Sequence, residues 1–205
     1  MSDSCVFIVD DDQALCDALS SLLRSVDLRV KSFPSPQEFL LHPRPDVPSC
    51  LILDVRLKGV SGLDFQARLS ELKDCIPVIV VTAHGDIAMS VRAMRAGAIN
   101  FLTKPFRDQD ILDSVMEALE QDRQRRMRDQ NVIKLHARHS GLTSREQQVM
   151  ALATAGLMNK HIAGELALSE FTVKIHRRSV MKKMQAKSFA ELVRMAQLLS
   201  MHQGE

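Results

Sequence analysis

The sequence predicts an α/β module followed by an all-α one: a doubly wound parallel sheet of five βα units, (βα)5, and then a four-helix domain. Three observations carry this. Between residues 5 and 121 short apolar runs alternate with amphipathic helical patterns. From residue 143 onward the helical patterns continue with no convincing strand. The charge also changes sign between the halves. Residues 1–120 carry 12 Lys/Arg against 18 Asp/Glu, a net of −6, whereas residues 121–205 carry 15 against 7, a net of +8. So clean a split points to two modules with different partners, one suited to a cation or a protein and the other to a polyanion.

The elements follow in order. CVFIVDDD (5–12) is a short buried-strand run that ends in three carboxylates, and ALCDALSSLLRSV (14–26) has apolar residues three and four apart, as a helix requires. LRVKSF gives the second strand and the segment around PQEFLL the second helix. CLILDVRL (50–57) is the third strand, GLDFQARLSEL (62–72) the third helix and IPVIVVTAH (76–84) the fourth strand. Residues 86–96 suit a short helix closed by Gly97; INFLTK (99–104) is the fifth strand and DQDILDSVMEALEQ (108–121) the fifth helix. Strands this continuously apolar belong to a parallel sheet covered on both faces. Residues 121–141 are polar and charged, continue from the fifth helix without a Pro or Gly break before Gly141, and read as a helical extension becoming a linker. Four further helices are expected near 143–155, 159–166, 170–184 and 188–200. The expected division is therefore 1–121, a helical linker over 122–140, and 141–205.

Composition narrows the class. A chain of 205 residues with 45% hydrophobic side chains can build a real core, and 25% charged residues is a globular level, which excludes a wholly disordered chain. No window approaches eighteen consecutive apolar residues, and residues 1–20 lack a basic stretch followed by an apolar run. The expectation is a cytoplasmic protein with no membrane association. Cys5, Cys16, Cys50 and Cys75 are scattered without C-x-x-C spacing, which predicts buried free thiols and neither a zinc site nor a disulfide framework.

In an open parallel sheet the chemistry sits at the carboxyl ends of the strands. Those ends carry Asp10, Asp11, Asp12, Asp54, Thr82 and Lys104, all polar. Taken singly, an Asp after a strand is most often a cap or turn residue and a Lys before Pro a solvated one; the joint arrangement is what points to function. Three carboxylates brought close together repel unless a cation offsets the cost. An all-oxygen cluster suits Mg²⁺ completed by water and phosphate. Lys104 then offers a movable point charge for phosphoryl oxygens and Thr82 a hydroxyl donor. Asp54 is the best-placed nucleophile, able to form an acyl phosphate.

The basic half has its own pattern. Thr143 with Glu146 three residues on forms a capping box ahead of an apolar helix. AGLMNKHIAGELALSEFTVKIHRRSVMKKMQ gives helix, short turn, helix, with Ile162, Ala163, Leu166 and Leu168 on the apolar side of the first and Ser169 as N-cap of the second. Along that second helix Val173, His176, Val180 and Met184 form the expected buried stripe, while Lys174, Arg177, Arg178, Lys182 and Lys183 cover much of the rest. One apolar and one basic face after a tight helix pair fits a major groove. An anionic membrane is the weaker reading, because the outward face is expected to hold few aromatics or large apolar residues.

The motifs IVDDD, LILDVRLKGVSGLD, VVTAHGD and FLTKPF over residues 5–121 resemble the receiver domain of bacterial two-component response regulators. The pattern NK-IA-L-S-TVK-H-K within 141–203 resembles the LuxR/NarL-type helix-turn-helix, and the whole chain is most similar to the FixJ-like branch. The resemblance implies that Asp54 is the phospho-acceptor, Asp11 a direct Mg²⁺ ligand, Asp10 a ligand through water, and the Arg56 carbonyl the remaining protein ligand; Mn²⁺ would serve in place of Mg²⁺. It implies that Thr82 and Lys104 grip the phosphoryl oxygens, that Phe101 is the aromatic switch, and that a cis bond before Pro105 sets the approach of Lys104. On the DNA side it implies base-edge or groove-wall contacts from Lys174, Ile175 and Arg178, backbone contacts from Thr172, Arg177, Lys182 and Lys160, and a buried, hydrogen-bonded His176. One departure stands out: Lys58 occupies a position where the family usually has Pro.

The function so implied is a phosphorylation-dependent transcription regulator. A sensor histidine kinase would phosphorylate Asp54, residues 86–119 would be biased toward a homodimer, and the basic domain would bind double-stranded promoter DNA, as an activator working with RNA polymerase. Three alternatives remain at this point, one of them a basic domain that binds RNA or protein instead of duplex DNA. A receiver used only for dimerisation would not need Asp54, Thr82 and Lys104. A Mg²⁺-dependent phosphatase would want a second Asp where position 56 is Arg. The chain is not expected to be an enzyme beyond its own phosphoryl transfer and hydrolysis. Nothing in the sequence chooses between nitrogen fixation and aromatic catabolism as the regulated pathway.

Overall fold

A computed structural model describes residues 4–72 and 74–201; the expected outer ends of the two modules, 1–3 and 202–205, lie outside the described residues. The chain divides into two compact units, Met1–Arg126 and Met127–Glu205.

In the first unit five parallel strands form one sheet: β1 (Cys5–Val9), β2 (Arg29–Phe33), β3 (Ser49–Asp54), β6 (Val78–Thr82) and β7 (Ala98–Thr103). Their spatial order is β2-β1-β3-β6-β7. Each crossover carries a helix: α1 (Gln13–Arg24), α2 (Pro36–Leu41), α3 (Gly62–Glu71) and α4 (Ile87–Arg95), with α5 (Asp108–Ser140) after the last strand. The apolar runs alternate between the two faces of the sheet, as side chains on a strand must. Phe7, Val9, Leu51, Leu53 and Val80 pack with Phe39, Leu63, Phe65, Leu69 and Ala93 of α2, α3 and α4. Val6, Ile8, Ile52, Ile79 and Val81 pack with Leu19, Leu23, Ile111 and Val115 of α1 and α5. Each fully buried Leu, Ile or Phe contributes roughly 1.5–3 kcal/mol relative to exposure, so both faces of the sheet hold the fold together.

The order of strands reverses between β1 and β3, and at such a switch point the loops beyond the strand ends part to leave a crevice. That is where the carboxylates fall. A small hairpin absent from the sequence reading, β4 (Arg56–Leu57) with β5 (Val60–Ser61), follows β3 directly. Gly59 turns it with φ of 82°, a left-handed backbone that suits glycine.

Helix α5 is continuous for 33 residues, and the division between the units falls within it. Its segment at Asp122 belongs to the first unit. The buried Asp122 carboxylate accepts a 2.9 Å bond from the Ser49 amide and holds Arg125 and Arg126 at 2.6 Å.

The second unit contains the helices α6 (Ser144–Thr154), α7 (Asn159–Leu166), α8 (Glu170–Met184) and α9 (Phe189–Met201). The expected capping box is present at Thr143 and Glu146, and Ser169 caps α8 through the Thr172 amide. Ile162, Ala163 and Val173 are buried with Val149 and Ala153 between α6, α7 and α8, while Val180 and Met184 join Leu135, Leu142, Met150, Leu192 and Leu199.

Two expectations need correction. Cys5, Cys16 and Cys50 are buried free thiols, but Cys75 is exposed, because it lies in the connection after α3, ahead of the apolar run that enters the sheet. His176 is only half-buried, and no hydrogen bond among the described residues involves its ring. It sits at the edge of the α8 stripe rather than at its centre, where Val173, Val180 and Met184 lie.

Candidate functional site

The loops after β1, β3, β6 and β7 bring the strand-end residues into one crevice. Asp10 and Asp54 are buried, Asp11 is half-buried, and one carboxylate oxygen from each lies within 4.8 Å of the others. Lys104 joins the two buried acids: its Nζ donates to Asp10 Oδ2 at 2.7 Å and lies 3.0 Å from Asp54 Oδ1. Backbone amides fix the remaining oxygens, Asp12 N donating to Asp10 Oδ1 at 2.9 Å and Arg56 N to Asp54 Oδ2 at 2.8 Å. Asp12 itself is the N-cap of α1 and accepts from the Leu15 amide, so the ordinary cap reading holds for that residue.

Thr82 is fully buried at the end of β6, where its Oγ1 accepts from the His84 amide at 3.3 Å. The Lys104 amide donates to the Thr82 carbonyl at 2.8 Å, which carries the β6–β7 pairing one step past the strand end. The peptide bond between Lys104 and Pro105 is cis. Phe101, on β7, is half-buried against the core formed with α2, α3 and α4.

The electrostatics of this crevice follow from burial. Withdrawal from water pushes the Asp54 carboxyl above its ordinary pKa, and the hydrogen bond and charge of Lys104 oppose that rise without cancelling it. Burial alone would lower the Lys104 pKa, but its bonds to Asp10 and Asp54 outweigh this and hold the ammonium above its usual value. The lysine is therefore charged at neutral pH, as the site needs. The donor set contains only oxygen, from three carboxylates of high local charge, and this set is compatible with a divalent cation of the Mg²⁺ type.

Sequence reasoning missed two features of the site. Gly62 packs so closely under β3 that a methyl group there would stand 2.0 Å from the Asp54 carbonyl oxygen, and its amide donates to the Val55 carbonyl at 2.8 Å. The signal was the glycine in GVSG directly after the acidic strand. The second is the partner of Lys58: the departure itself was legible, but not that the β4–β5 turn presents the lysine to Asp11.

On α8 the cations divide into two sets. Lys174, Arg178 and Lys182 are exposed, and with Phe171 and Ile175 they share one helical face at spacings of three and four residues. Phe171 is 72% exposed and Ile175 53%, so the expectation of few large apolar residues on this face is corrected. Arg177 turns inward: its guanidinium donates to Asn159 Oδ1 at 2.8 Å and stacks 4.8 Å from the centre of the Phe189 ring. Lys183 is likewise engaged, donating to Glu146 Oε2 at 2.7 Å. Thr172 is half-buried beside the Ser169 cap, and Lys160 is exposed on α7. Among the described residues no helix is long and apolar enough to cross a membrane.

Comparison with known proteins accounts for both units. Residues 6–116 match the response regulator receiver domain, and residues 140–196 match the bacterial regulatory proteins of the luxR family. Nodulation protein W of Bradyrhizobium diazoefficiens is 53% identical over 194 residues, which cover 95% of this chain and 86% of that protein. Transcriptional regulatory protein FixJ of Rhizobium meliloti is 41% identical over 197 residues, 96% of each chain. The solved structure of the response regulator StyR is 46% identical and superposes with a TM-score of 0.83 over 95% of this chain and 98% of that one. The chain belongs to the FixJ/NarL-type two-component response regulators, a (βα)5 receiver followed by an all-α LuxR-type helix-turn-helix domain, and is a phosphorylation-linked, DNA-binding transcriptional regulator rather than an enzyme acting on a metabolite.

Proposed function

We propose that Asp54 is the phospho-acceptor and that its phosphoryl donor is the phosphohistidine of a partner sensor histidine kinase. The observation that carries this is the placement of Asp54: buried, 3.0 Å from the Lys104 ammonium, and within 4.8 Å of the carboxylates of Asp10 and Asp11. A carboxylate oxygen of Asp54 attacks phosphorus, and the P–N bond to the donor imidazole breaks. Asp10, Asp11, Asp54 and the Arg56 carbonyl would hold Mg²⁺, or Mn²⁺ in its place, and that ion would offset charge on the phosphoryl oxygens. The added negative charge draws Lys104 from its bond with Asp10 toward the phosphoryl group, and Thr82 leaves the His84 amide to donate to it. Phe101 follows Thr82, and the rearrangement biases the surface over 86–119 toward a homodimer.

In the proposed division residues 1–121 receive the signal, 122–140 form the helical linker and 141–205 bind double-stranded promoter DNA. Lys174, Ile175 and Arg178 face the base edges, with Lys160, Thr172 and Lys182 at the phosphates. The similarity to FixJ, a transcriptional regulatory protein, supports a promoter target, and activation together with RNA polymerase is the direction proposed. The protein works in the cytoplasm.

Phosphotransfer from a phosphohistidine donor, followed by intact mass and peptide mapping, tests the acceptor. One phosphoryl group on Asp54, absent in Asp54→Asn, is expected; modification elsewhere would overturn the assignment. Light scattering with Mg²⁺, before and after beryllofluoride as an acyl-phosphate mimic, tests the dimer. An unchanged mass would reject phosphorylation-driven pairing in solution.

A further inference from the structure

The exposed face of α8 has a composition that phosphate binding does not account for. Lys174, Arg178 and Lys182 suffice to attract a polyanion, yet two large apolar side chains stand in the same row: Phe171, 72% exposed in the first turn, and Ile175, 53% exposed one turn on. A phenyl ring held in water forgoes the burial that aromatic side chains ordinarily gain. It is not there to support the unit's own core, which closes over Val173, Val180 and Met184 on the other side of the helix.

We infer that Phe171, together with Ile175, reads thymine C5-methyl groups in the major groove, so that Phe171 sets base preference at a position the cations do not read. The inference rests on the DNA-binding reading of α8 and deepens it. A phenyl ring neither donates nor accepts a conventional hydrogen bond. Against the edges of guanine, cytosine or adenine it would cover donors and acceptors without replacing their water. The thymine methyl is the one apolar group that the major groove offers. The N-terminal residues of a recognition helix are those that approach the base edges most closely, and Phe171 is the second residue of α8.

Spacing makes the inference specific. A helix seated in the major groove runs oblique to the DNA axis, and residues three or four apart along it meet successive bases. Phe171 and Ile175, four residues apart, therefore reach methyl groups on neighbouring base pairs. Lys174 and Arg178 alternate with them along the row, so charged and apolar contacts interleave across one half-site.

The test uses the full chain treated with beryllofluoride and a duplex that it selects from a random-sequence pool. Each thymine of that duplex is replaced in turn by deoxyuridine, which removes only the methyl group, and affinity is measured at fixed salt. The wild-type chain is expected to lose about 4-fold in affinity, the equivalent of one buried methyl, at two thymines in neighbouring base pairs. Phe171→Ser should be insensitive to deoxyuridine at one of these positions and Ile175→Ser at the other. Phe171→Leu, which keeps an apolar side chain, should retain part of the sensitivity. A Phe171→Ser profile that matches the wild type, or a wild type indifferent to every thymine methyl, overturns the inference and leaves DNA binding standing. Selection that returns no preferred sequence would instead overturn sequence reading by α8, and the inference with it.

Discussion

Lys58 Nζ stands 3.4 Å from Asp11 Oδ2, held out to it by the β4–β5 turn, although the lysine side chain is 87% exposed. The site thus contains a second ammonium besides Lys104, paired with the acid that offers the most accessible ligand oxygen. A cation that takes this Asp11 oxygen competes with it. An exposed pair of this kind is worth about 0–1 kcal/mol, so the effect is a modulation and not a block. Lys58→Ala is expected to tighten divalent-cation binding by up to about 5-fold. Calorimetric titration with Mg²⁺ is the suitable measurement, since the chain has no Trp or Tyr to report binding by fluorescence. Unchanged affinity would mean that Lys58 is already released to solvent.

Gly62 is the second sensitive point. With a methyl group the 2.0 Å approach to the Asp54 carbonyl cannot persist, and the loop after β3 must move. Gly62→Ala is expected to cost about 1–3 kcal/mol of stability in the first unit, as overpacking does, and to displace Asp54 from Lys104. Thermal unfolding and the rate of phosphorylation should both fall. A variant that melts like the wild type and phosphorylates normally would contradict this placement.

The Glu146 carboxylate gives a pH-dependent link within the second unit. Burial raises its pKa, but bonds from Lys183, Ser179 and the Thr143 amide outweigh burial and hold it at about 2. A carboxyl whose folded pKa lies below its unfolded value of 4.5 stabilises the fold fully above that value. The contribution is lost as pH falls from 4.5 toward 2. Glu146→Gln is expected to cost about 2 kcal/mol near neutral pH, the scale of hydrogen bonds to a charged group. Protection factors at the amides of α6 and α8, which take out the intrinsic pH dependence of exchange, should fall at pH 7 and decline less than in the wild type as pH drops below 4.5. Protection that kept the wild-type acid profile would assign that decline to another group.

Arg177 and Arg178 are adjacent in sequence and stand in different surroundings. Arg178 faces outward, and Arg178→Ala should reduce the preference for a selected duplex over a random one by about 1–3 kcal/mol, the value of a good base contact. Arg177 binds Asn159 and stacks on Phe189, so Arg177→Ala should lower the melting temperature of the second unit and change discrimination little. Binding curves on both duplexes, with thermal unfolding alongside, separate the two. Equal losses of discrimination from both variants would place Arg177 at the DNA.

The sequence by itself determined the architecture. Continuous apolar strands between amphipathic segments allow only a sheet covered on both faces, and a carboxylate after β1 and at the end of β3 must meet at the switch point of such a sheet. The helix caps at Thr143 and Ser169 were readable because capping is local, linking residues only three apart. Tertiary structure decided which charged groups are free. Arg177, Arg178 and Lys183 read alike in a basic run, yet Arg177 meets Asn159 18 residues away and Lys183 meets Glu146 37 residues away, leaving Arg178 exposed. Asp122 looked like one more charge in a polar linker until its burial against the Ser49 amide, 73 residues distant, fixed that turn of α5 to the first unit. The same holds for Lys58, whose partner Asp11 lies across the crevice, and for Phe171, which a hydrophobicity pattern would bury. Periodicity reports which face of an element is apolar, because burial is set by that face as a whole. The partner of a single long side chain is chosen by whatever the fold brings within its reach, and that depends on contacts distant in sequence.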